Sequence, residues 1–429
     1  MTVLINPVSP CFIQDYGLIC ALGEGQLAVS EALAAWQAEG ISPLDTEHQA
    51  LSDGRLTPVG RVRSELPPVS DALAAYDSRN NRLLLAALAQ IQPRLDELKA
   101  RVGADRIAIV LGTSTAGIAE AELAVAACER GASLPPAFDY RQQELGSPSE
   151  FLARQLALAG PAYTISTACS SSARAFISGQ RLLAAGMADA VIVGGADSLC
   201  GLTLNGFDSL ESLSLTRCRP FGEARRGINI GEGAALFVLS QTPAPLALLG
   251  AGESSDAWHI SAPHPEGLGA EAAMRMALCQ GGIDASELDY INLHGTATRL
   301  NDEMESRALA RLFGESETAP CSSSKMLTGH CLGAAGAIEA ALCCLLMELG
   351  QAAPDQGSVQ DPALVPIQLV QGGGPAFSSK SLADPITLAL SNSFAFGGNN
   401  VSLLLGRRDL ACPDGERGLA AQEMTTEHE

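Results

Sequence analysis

Residues 162–197, AYTISTACSSSARAFISGQRLLAAGMADAVIVGGAD, decide the fold of this chain. A short β-branched run ends at STAC, an Ala-rich stretch with helical spacing follows as far as Gly186, and a second apolar run closes the segment. The order strand, helix, strand is typical of a parallel βαβ unit. The segment therefore predicts an α/β protein with Cys169 at a strand-to-helix turn.

The second half of the chain repeats this pattern. CSSSKMLTGHCLGAAGAIEA, residues 321–340, again passes from a short apolar run through a Ser-rich turn into an Ala-rich helix. We predict two similar halves, residues 1–250 and 251–408, and a mobile tail at 409–429. The other predicted elements are helices at 77–101, 116–130, 268–281 and 302–313, strands at 106–115, 288–294, 385–394 and 399–406, and a strand pair formed by 227–241 and a run through Leu249.

Composition and charge exclude several classes of protein. The 429 residues are 47% hydrophobic and 17% charged, which suits a large core, and the net charge of −21 argues against binding nucleic acid or an anionic membrane surface. The N-terminus lacks the basic start of a secretory signal, and the apolar stretch 331–349 is too short and too acidic for a membrane span. Twelve cysteines without a CxxC pair predict no metal site and a reducing, cytoplasmic compartment.

Cys169 is the first candidate for chemistry. Backbone N–H groups of a first helical turn favour negative charge, so a thiol at this turn is expected to have a lowered pKa and to act as a nucleophile. The competing interpretation is a buried, inert cysteine, which is the commoner role of a free Cys.

Two of the six histidines stand at turns next to apolar elements, both within residues 251–408. His294 ends a strand in LHGTATRLND, and His330 opens the long apolar helix in KMLTGHCLGAAG. Neutral imidazoles there could act as bases or stabilise a developing oxyanion, whereas a structural hydrogen-bonding role is the alternative. Lys325, one of three lysines, precedes that helix and needs an anionic partner if buried, for which Glu305 is the candidate. A surface lysine is the other possibility.

The segment SNSFAFGGNN, residues 391–400, places two Phe around a Gly pair. The glycines permit close backbone approach to a ligand, and a plain β-hairpin turn is the alternative.

Taken together, five motifs resemble the β-ketoacyl–acyl-carrier-protein synthases of the elongating type, within the thiolase-fold condensing enzymes. The motifs are TACSSS, GEGAA with Glu232, HGTATRLND, KMLTGHCLGAAG and SNSFAFGGNN, and they occur in family order between about residues 75 and 408. The resemblance implies an α/β, thiolase-like, five-layered αβαβα fold of two similar halves. It also implies a dimer, either a homodimer or a heterodimer with a related ketosynthase-like subunit.

The resemblance implies an acyltransferase that performs a decarboxylative Claisen condensation of malonyl-carrier protein. Cys169 would carry the acyl chain, His294 and His330 would assist loss of carbon dioxide, and Lys325 paired with Glu305 would hold the histidines. The remaining implied roles are oxyanion binding by the N–H groups of Cys169 and Phe396, gating by Phe396, and pantetheine contact by Thr296 and Thr298. No resident cofactor is implied, because the phosphopantetheine arm arrives on the acyl carrier protein.

The resemblance also implies sites for the carrier protein and the acyl chain. Arg79 and Arg82 match the docking helix of the family, Arg217 and Arg219 lie in a second docking segment, and Thr115 falls where the acyl pocket meets the subunit interface. A solvated helix face is the alternative for the arginines. Ala297, Ala395 and Asn399 depart from the usual pattern, which favours a specialised synthase over a housekeeping one. The pathway stays open between fatty acid synthesis and specialised polyketide or aryl-polyene synthesis.

Four other functions compete with this one. A non-catalytic partner subunit, similar to a chain-length factor, would usually lack the cysteine that is present here as Cys169. A thiolase would show a second active cysteine where this chain has AFGGNN, and an initiating synthase would show Asn in place of His330. A purely structural scaffold would not need Lys325 and His330 together.

Overall fold

The structure is a computed structural model and describes residues 11–371 and 385–407. Its strands are β1 Cys11–Cys20, β2 Gly23–Glu24, β3 His48–Ala50, β4 Leu56–Pro58, β5 Ile107–Gly112, β6 Ala162–Ile165, β7 Ala190–Asp197, β8 Gly233–Ser240, β9 Leu246–Ser255, β10 Tyr290–Asn292, β11 Cys321–Ser322, β12 Leu388–Phe394 and β13 Asn399–Arg407. Its helices are α1 Gly25–Glu39, α2 Arg79–Val102, α3 Ile118–Glu129, α4 Ser147–Gln155, α5 Ser171–Ala184, α6 Gly201–Ser209, α7 Leu268–Gly281, α8 Arg299–Phe313, α9 Lys325–Thr328 and α10 Ala335–Leu349.

Most strands form one mixed sheet made of two similar halves. The strand order is β11-β10-β12-β13-β9-β1-β8-β7-β5-β6, with β2 attached to β1. β5 runs parallel to β6 and β7 in one half, and β10 runs parallel to β11 and β12 in the other, whereas the inner strands are antiparallel. β1 pairs with β8 over most of its length and with β9 at only three positions. The halves therefore meet along a short seam at β1.

Two helices occupy the space between the halves. α5 packs on β5 and β7, and α10 packs on β12, β13, β1 and β8. The outer faces are covered by α2 on one side and by α7 with α8 on the other. Helix, strand and helix layers thus alternate five deep, and the residues 335–347 of α10 are all buried because both of its sides face strands or helices.

Close helix–sheet packing fixes the position of the nucleophile segment. A Cβ on Gly112, the last residue of β5, would lie 2.2 Å from the backbone nitrogen of Ser172, so only glycine lets α5 approach that strand. The Ala337 N–H, in the first turn of α10, donates to the Ser172 hydroxyl at 2.9 Å. These contacts bind the start of α5 to both β5 and α10.

The predicted elements agree with the structure at their centres and differ at their ends. α2 begins after the cap Ser78, and α7 has the predicted bounds. The strand predicted at 106–115 ends at Gly112 because the next residues turn to bond Asp197. The domain boundaries stay a prediction, and the tail at 409–429 lies outside the described residues.

Two features were not predicted. β1, which joins the halves, comes from a stretch with Asp15 in its middle, where its register with β8 shifts. The long apolar helix also divides: α9 and a one-turn 3-10 helix at 332–334 precede α10. Residues 332–349 are long and apolar enough to cross a membrane, but 89% of that window is buried inside the protein, as expected of a core helix.

Candidate active site

Cys169 lies on a sharp turn between β6 and α5. Ala168 has a φ of 51°, a strained backbone conformation for a residue other than glycine. The turn is held by serine hydroxyls, since Ser171 donates to the Ala168 carbonyl at 2.5 Å and accepts from the Thr167 N–H at 2.9 Å. The small side chains predicted from STACSSS therefore build the turn that presents the sulfur.

The thiol of Cys169 is buried and protonated at neutral pH. Burial raises its pKa to about 12, although the charge of Lys325 and the backbone N–H of Phe396 act in the opposite direction. The predicted lowering of this pKa is therefore wrong, because loss of hydration outweighs the helix start and the lysine. His330 Nε2 lies 3.0 Å from the sulfur and can accept the thiol proton.

His294 and His330 face each other beside this sulfur. Their ring centroids are 5.5 Å apart and the rings are nearly perpendicular. Burial and the positive charge of Lys325 hold both imidazole pKa values well below their usual range, so both rings are neutral at pH 7. Neither Nδ1 atom has a hydrogen-bond partner among the described residues. The two rings thus keep polar atoms available for a substrate.

Lys325 pairs with Glu339, not with the predicted Glu305. The Lys325 Nζ donates to Glu339 Oε1, and both side chains are almost fully buried. Burial raises the pKa of Glu339 to about 7, and the lysine opposes this shift. A carboxylate in the middle of an apolar helix signals a buried partner, and Glu339 holds that position in α10, whereas Glu348 stands near the end of the helix.

Glu305 accepts hydrogen bonds from the backbone around His294 and makes no ion pair with Lys325. Its carboxylate accepts the backbone N–H groups of His294 and Gly295, each at 2.9 Å, and the side-chain amide of Asn392 at 3.3 Å. Burial raises its pKa, and these hydrogen bonds oppose the rise. Glu305 therefore fixes the backbone that carries His294, which is a positioning role different from the predicted ion pair.

The Phe396 turn closes the site from the other side. Residues 396–398 form a short 3-10 turn between β12 and β13, in which Gly397 and Gly398 have φ values of 80° and 76°. The half-buried Phe396 ring lies 5.5 Å from that of Phe207. The N–H of Phe396 hydrogen-bonds the sulfur of Cys169. These two residues therefore lie at one site, as predicted.

The predicted pantetheine residues lie on one turn before α8. The hydroxyls of Thr296 and Thr298 are 2.9 Å apart, and Ala297 between them has a φ of 63°. The buried Asp302 accepts the N–H of Ala297 at 3.1 Å and that of Phe221 at 2.6 Å. Burial raises the pKa of Asp302 to about 7. Sequence reasoning missed Asp302, although it stands in the LND of the quoted motif.

Thr115 is buried beside the nucleophile turn. Its hydroxyl and its N–H both bond Asp197 Oδ1 at 2.7 Å, and the neighbouring Ser114 hydroxyl lies 3.4 Å from the Ala168 carbonyl. Asp197 also accepts the N–H of Ala334, just before α10. Thr115 therefore lies at the centre of the protein with its hydroxyl engaged, and its effect on chain length stays a prediction.

The predicted docking arginines differ sharply in their surroundings. Arg79 makes a two-point ion pair with the fully buried Glu232, at 2.8 and 2.6 Å, so its charge is compensated inside the fold, and its docking role stays a prediction. Arg82 pairs with Asp77 and Arg217 pairs with Asp45, each at 2.6 Å. Arg219 alone of the four is exposed and has no ionic partner in the described parts of the chain.

Known protein families match both halves of the chain. The β-ketoacyl synthase N-terminal domain family matches residues 78–244, and the C-terminal domain family matches residues 247–358. A chain of the solved complex of the ketosynthase ApeO with its chain length factor ApeC, from Xenorhabdus doucetiae, is 50% identical with a TM-score of 0.86. The match covers 93% of this chain and 98% of that one. This chain belongs to the β-ketoacyl synthase family.

Other relatives agree with this family. The 3-oxoacyl-[acyl-carrier-protein] synthase 2 of Rhizobium meliloti (strain 1021) is 39% identical over 268 residues, 58% of this chain and 62% of that protein. The chain thus spans less than two thirds of the length of the curated relatives it matches. A β-ketoacyl synthase from Burkholderia phymatum STM815 is 27% identical with a TM-score of 0.79. The predicted family and the thiolase-like α/β fold are confirmed.

Proposed function

We propose that this chain is a β-ketoacyl–acyl-carrier-protein synthase in which Cys169 carries the acyl chain. The observation that supports this most strongly is that His330 Nε2 and the Phe396 N–H both reach the buried sulfur of Cys169. His294, from a further segment, faces the His330 ring. Acyl transfer needs a nucleophile with an adjacent base and an oxyanion site, and these groups can supply all three.

The first half-reaction moves the acyl group from the pantetheine sulfur to Cys169. The thiol gives its proton to His330 Nε2 as the sulfur attacks the thioester carbonyl. The tetrahedral oxyanion accepts hydrogen bonds from the N–H groups of Cys169 and Phe396. When the carbonyl re-forms, the pantetheine sulfur leaves and takes the proton from His330. A neutral thiol beside a neutral imidazole suits this transfer, because neither reacting group carries a buried charge before substrate arrives.

The second half-reaction lengthens the chain by two carbons. The malonyl thioester loses carbon dioxide, and the electron pair of the broken C–C bond enters an enolate whose oxygen accepts N–H bonds from His294 and His330. The enolate carbon attacks the Cys169 thioester, the oxyanion site stabilises the new tetrahedral oxygen, and collapse expels the Cys169 thiolate. The thiolate then takes up one proton from solvent, which balances the negative charge that the malonyl carboxylate left behind as carbon dioxide departed. Burial of Cys169, His294 and His330 keeps water from the enolate.

We also propose that the chain works in a pair of related subunits. Its 50% identical relative is part of a ketosynthase–chain length factor complex. Apolar side chains are exposed on α3 and on the segment between α3 and α4: Leu123, Leu134 and Tyr140 are 70%, 55% and 65% exposed. Such a patch favours a protein partner. The retained Cys169 favours the catalytic member over a chain-length-factor-like subunit.

The remaining proposals concern partners and location. The relatives named acyl-carrier-protein synthases support an acyl carrier protein as substrate carrier, and no resident cofactor is required by the chemistry above. The eleven cysteines of the described residues are all free, which supports the cytoplasmic location. Fatty acid, polyketide and aryl-polyene pathways stay open predictions.

The test is intact-mass analysis after incubation with a panel of acyl carrier proteins. We expect a mass increase equal to one acyl group on the wild type, mapped to Cys169, and none on Cys169→Ala. Cys218→Ala is the matched control, because Cys218 is equally buried but bonds the Lys325 carbonyl instead of a histidine. An acyl group that stays on Cys169→Ala, or no acylation from any carrier protein, would refute the proposal.

A further inference from the structure

Three exposed arginines surround the turn of Thr296 and Thr298. Arg299 follows that turn directly and begins α8, and Arg219 and Arg226 lie on the loop between α6 and β8. None of the three makes a hydrogen bond or ion pair through its side chain with a described residue. Arg226 and Arg299 were not among the residues predicted for docking.

Backbone contacts hold this loop against the turn. The N–H of Gly227, the residue after Arg226, donates to the Ala297 carbonyl at 2.9 Å. Asp302 accepts an N–H from Phe221 on the loop and one from Ala297 on the turn. Because Phe221 and Ala297 both have positive φ values and are buried, the two segments are locked together with Arg219, Arg226 and Arg299 on the outside.

The charge around this loop is positive, in contrast to that of the protein as a whole. Arg225 is neutralised by Asp361 at 2.5 Å. The pKa of Asp361 is lowered by the Ala363 N–H and by Arg225, and also by Arg299, which therefore lies nearby. The loop 219–226 itself carries one exposed carboxylate, Glu223. Four arginines, three on this loop and Arg299, thus face two carboxylates, Glu223 and Asp361, on a chain whose net charge is −21.

The arginines on α2 present the opposite case. Arg79 and Arg82 also border an open cavity, of about 640 Å³, but each faces a carboxylate in two-point contact. Carboxylate partners cancel the field that would attract an acidic protein, whereas unpaired rim arginines accelerate its association.

We propose that Arg219, Arg226 and Arg299 form the docking surface for the acidic carrier protein, in place of Arg79 and Arg82. This proposal rests on the function proposed above. A carrier seated on these arginines has its pantetheine arm beside Thr296 and Thr298, the residues implied above to contact that arm. The three groups lie on two segments that Asp302 holds in fixed relation, so they present a preformed positive rim.

The experiment compares three acyl donors: acyl carrier protein, acyl-coenzyme A and acyl-pantetheine. The variant is the double charge reversal Arg226→Glu with Arg299→Glu. The matched control is Arg101→Glu, since Arg101 is exposed in the last turn of α2 and bonds only Thr242, beyond the end of β8. The rate of Cys169 acylation is followed by intact mass, and kcat/KM is obtained for each donor at low and high ionic strength.

We expect the double variant to lose about tenfold in kcat/KM with the carrier protein relative to acyl-pantetheine, and to lose most of its salt dependence. Arg79→Lys, which keeps a positive charge, should leave that ratio within about twofold. An unchanged ratio in the double variant would overturn the proposal, and so would an equal loss with acyl-coenzyme A, which would indicate recognition of phosphate alone. No acylation of the wild type by any donor would instead refute the proposed function.

Discussion

The two halves of the protein make the same strand-to-helix turn and use it differently. In the first half, β6 turns within a few residues into α5, and Cys169 lies at that bend. In the second half, β11 leads first into the one-turn helix α9, then through Gly329 and His330 into α10. The extra turn gives the second half room for a lysine and a histidine where the first has a thiol.

The electrostatics of the two turns differ in the same way. The first turn carries no charge, because burial keeps the Cys169 thiol protonated. The second contains the buried pair of Lys325 and Glu339, whose positive member helps keep His294 and His330 neutral. The first half thus provides the neutral thiol of Cys169. The second half provides the two neutral imidazoles and the Lys325 charge that keeps them neutral.

Replacing Cys169, the nucleophile on the first turn, should have the largest effect on condensation. Cys169→Ala is expected to lower condensation by at least about 1000-fold, because no other side chain can carry the acyl group. The measurement is formation of 3-oxoacyl carrier protein from acyl and malonyl carriers, with Cys218→Ala as control. Full turnover by Cys169→Ala would remove the cysteine from the mechanism.

Breaking the ion pair of the second turn should cost stability. Lys325→Met or Glu339→Leu alone is expected to lower the free energy of unfolding by about 3–5 kcal/mol, because each leaves a buried charge without its partner. The double variant should lose less than the sum of the two. Denaturant titration measures this, with the exposed Glu315→Leu as reference. A loss for Glu339→Leu no larger than for that reference would contradict the pairing.

The histidines should separate the two half-reactions. His294→Ala is expected to lower malonyl decarboxylation by about 100-fold while Cys169 acylation falls much less, since that ring faces the enolate. His330→Ala should impair both, because His330 Nε2 also contacts the sulfur. Carbon dioxide release and intact mass give the two rates. Equal losses in both rates for His294→Ala would assign that histidine to structure.

The neutral state of the thiol predicts a distinctive pH profile. Because burial raises the pKa of Cys169 to about 12, its thiolate fraction should rise about tenfold per pH unit between pH 6 and 9. Alkylation by iodoacetamide should follow that slope, and Lys325→Met should make it slower at every pH because a favourable charge is lost. The exposed Cys128 serves as reference. A plateau in the alkylation rate below pH 8 would show that the thiol is already ionised there, which would contradict the raised pKa.

Local pattern sufficed for the elements and for the residues that share motifs with the family. Cys169, His294, His330 and Phe396 lie together as the motifs implied. What local pattern could not give was burial and long-range pairing. The choice of Glu339 over Glu305 for Lys325 depends on how α10 packs, and the raised thiol pKa depends on the two halves closing over the turn. β1 was missed because its pairing with β8 shifts register within the strand.

The docking arginines also show that local sequence pattern does not reveal burial or long-range pairing. Arg79 and Arg219 are indistinguishable as letters in a basic motif, but one meets the buried Glu232 and the other meets solvent. The sequence around Arg299 does not indicate which residues lie beside it. The neighbouring loop, which bonds Asp302, comes some 75 residues earlier in the chain.

The most direct measurement is a single-turnover chase of the acylated protein. Wild type loaded with a labelled acyl group on Cys169 is freed of excess carrier and mixed with malonyl carrier protein. The acyl label should leave Cys169 at the rate at which carbon dioxide appears, and it should be recovered in a 3-oxoacyl chain two carbons longer. Carbon dioxide release with the label still on Cys169 would contradict a condensation of the Cys169-bound acyl group with the malonyl unit. Release of the label as free acid would contradict it as well.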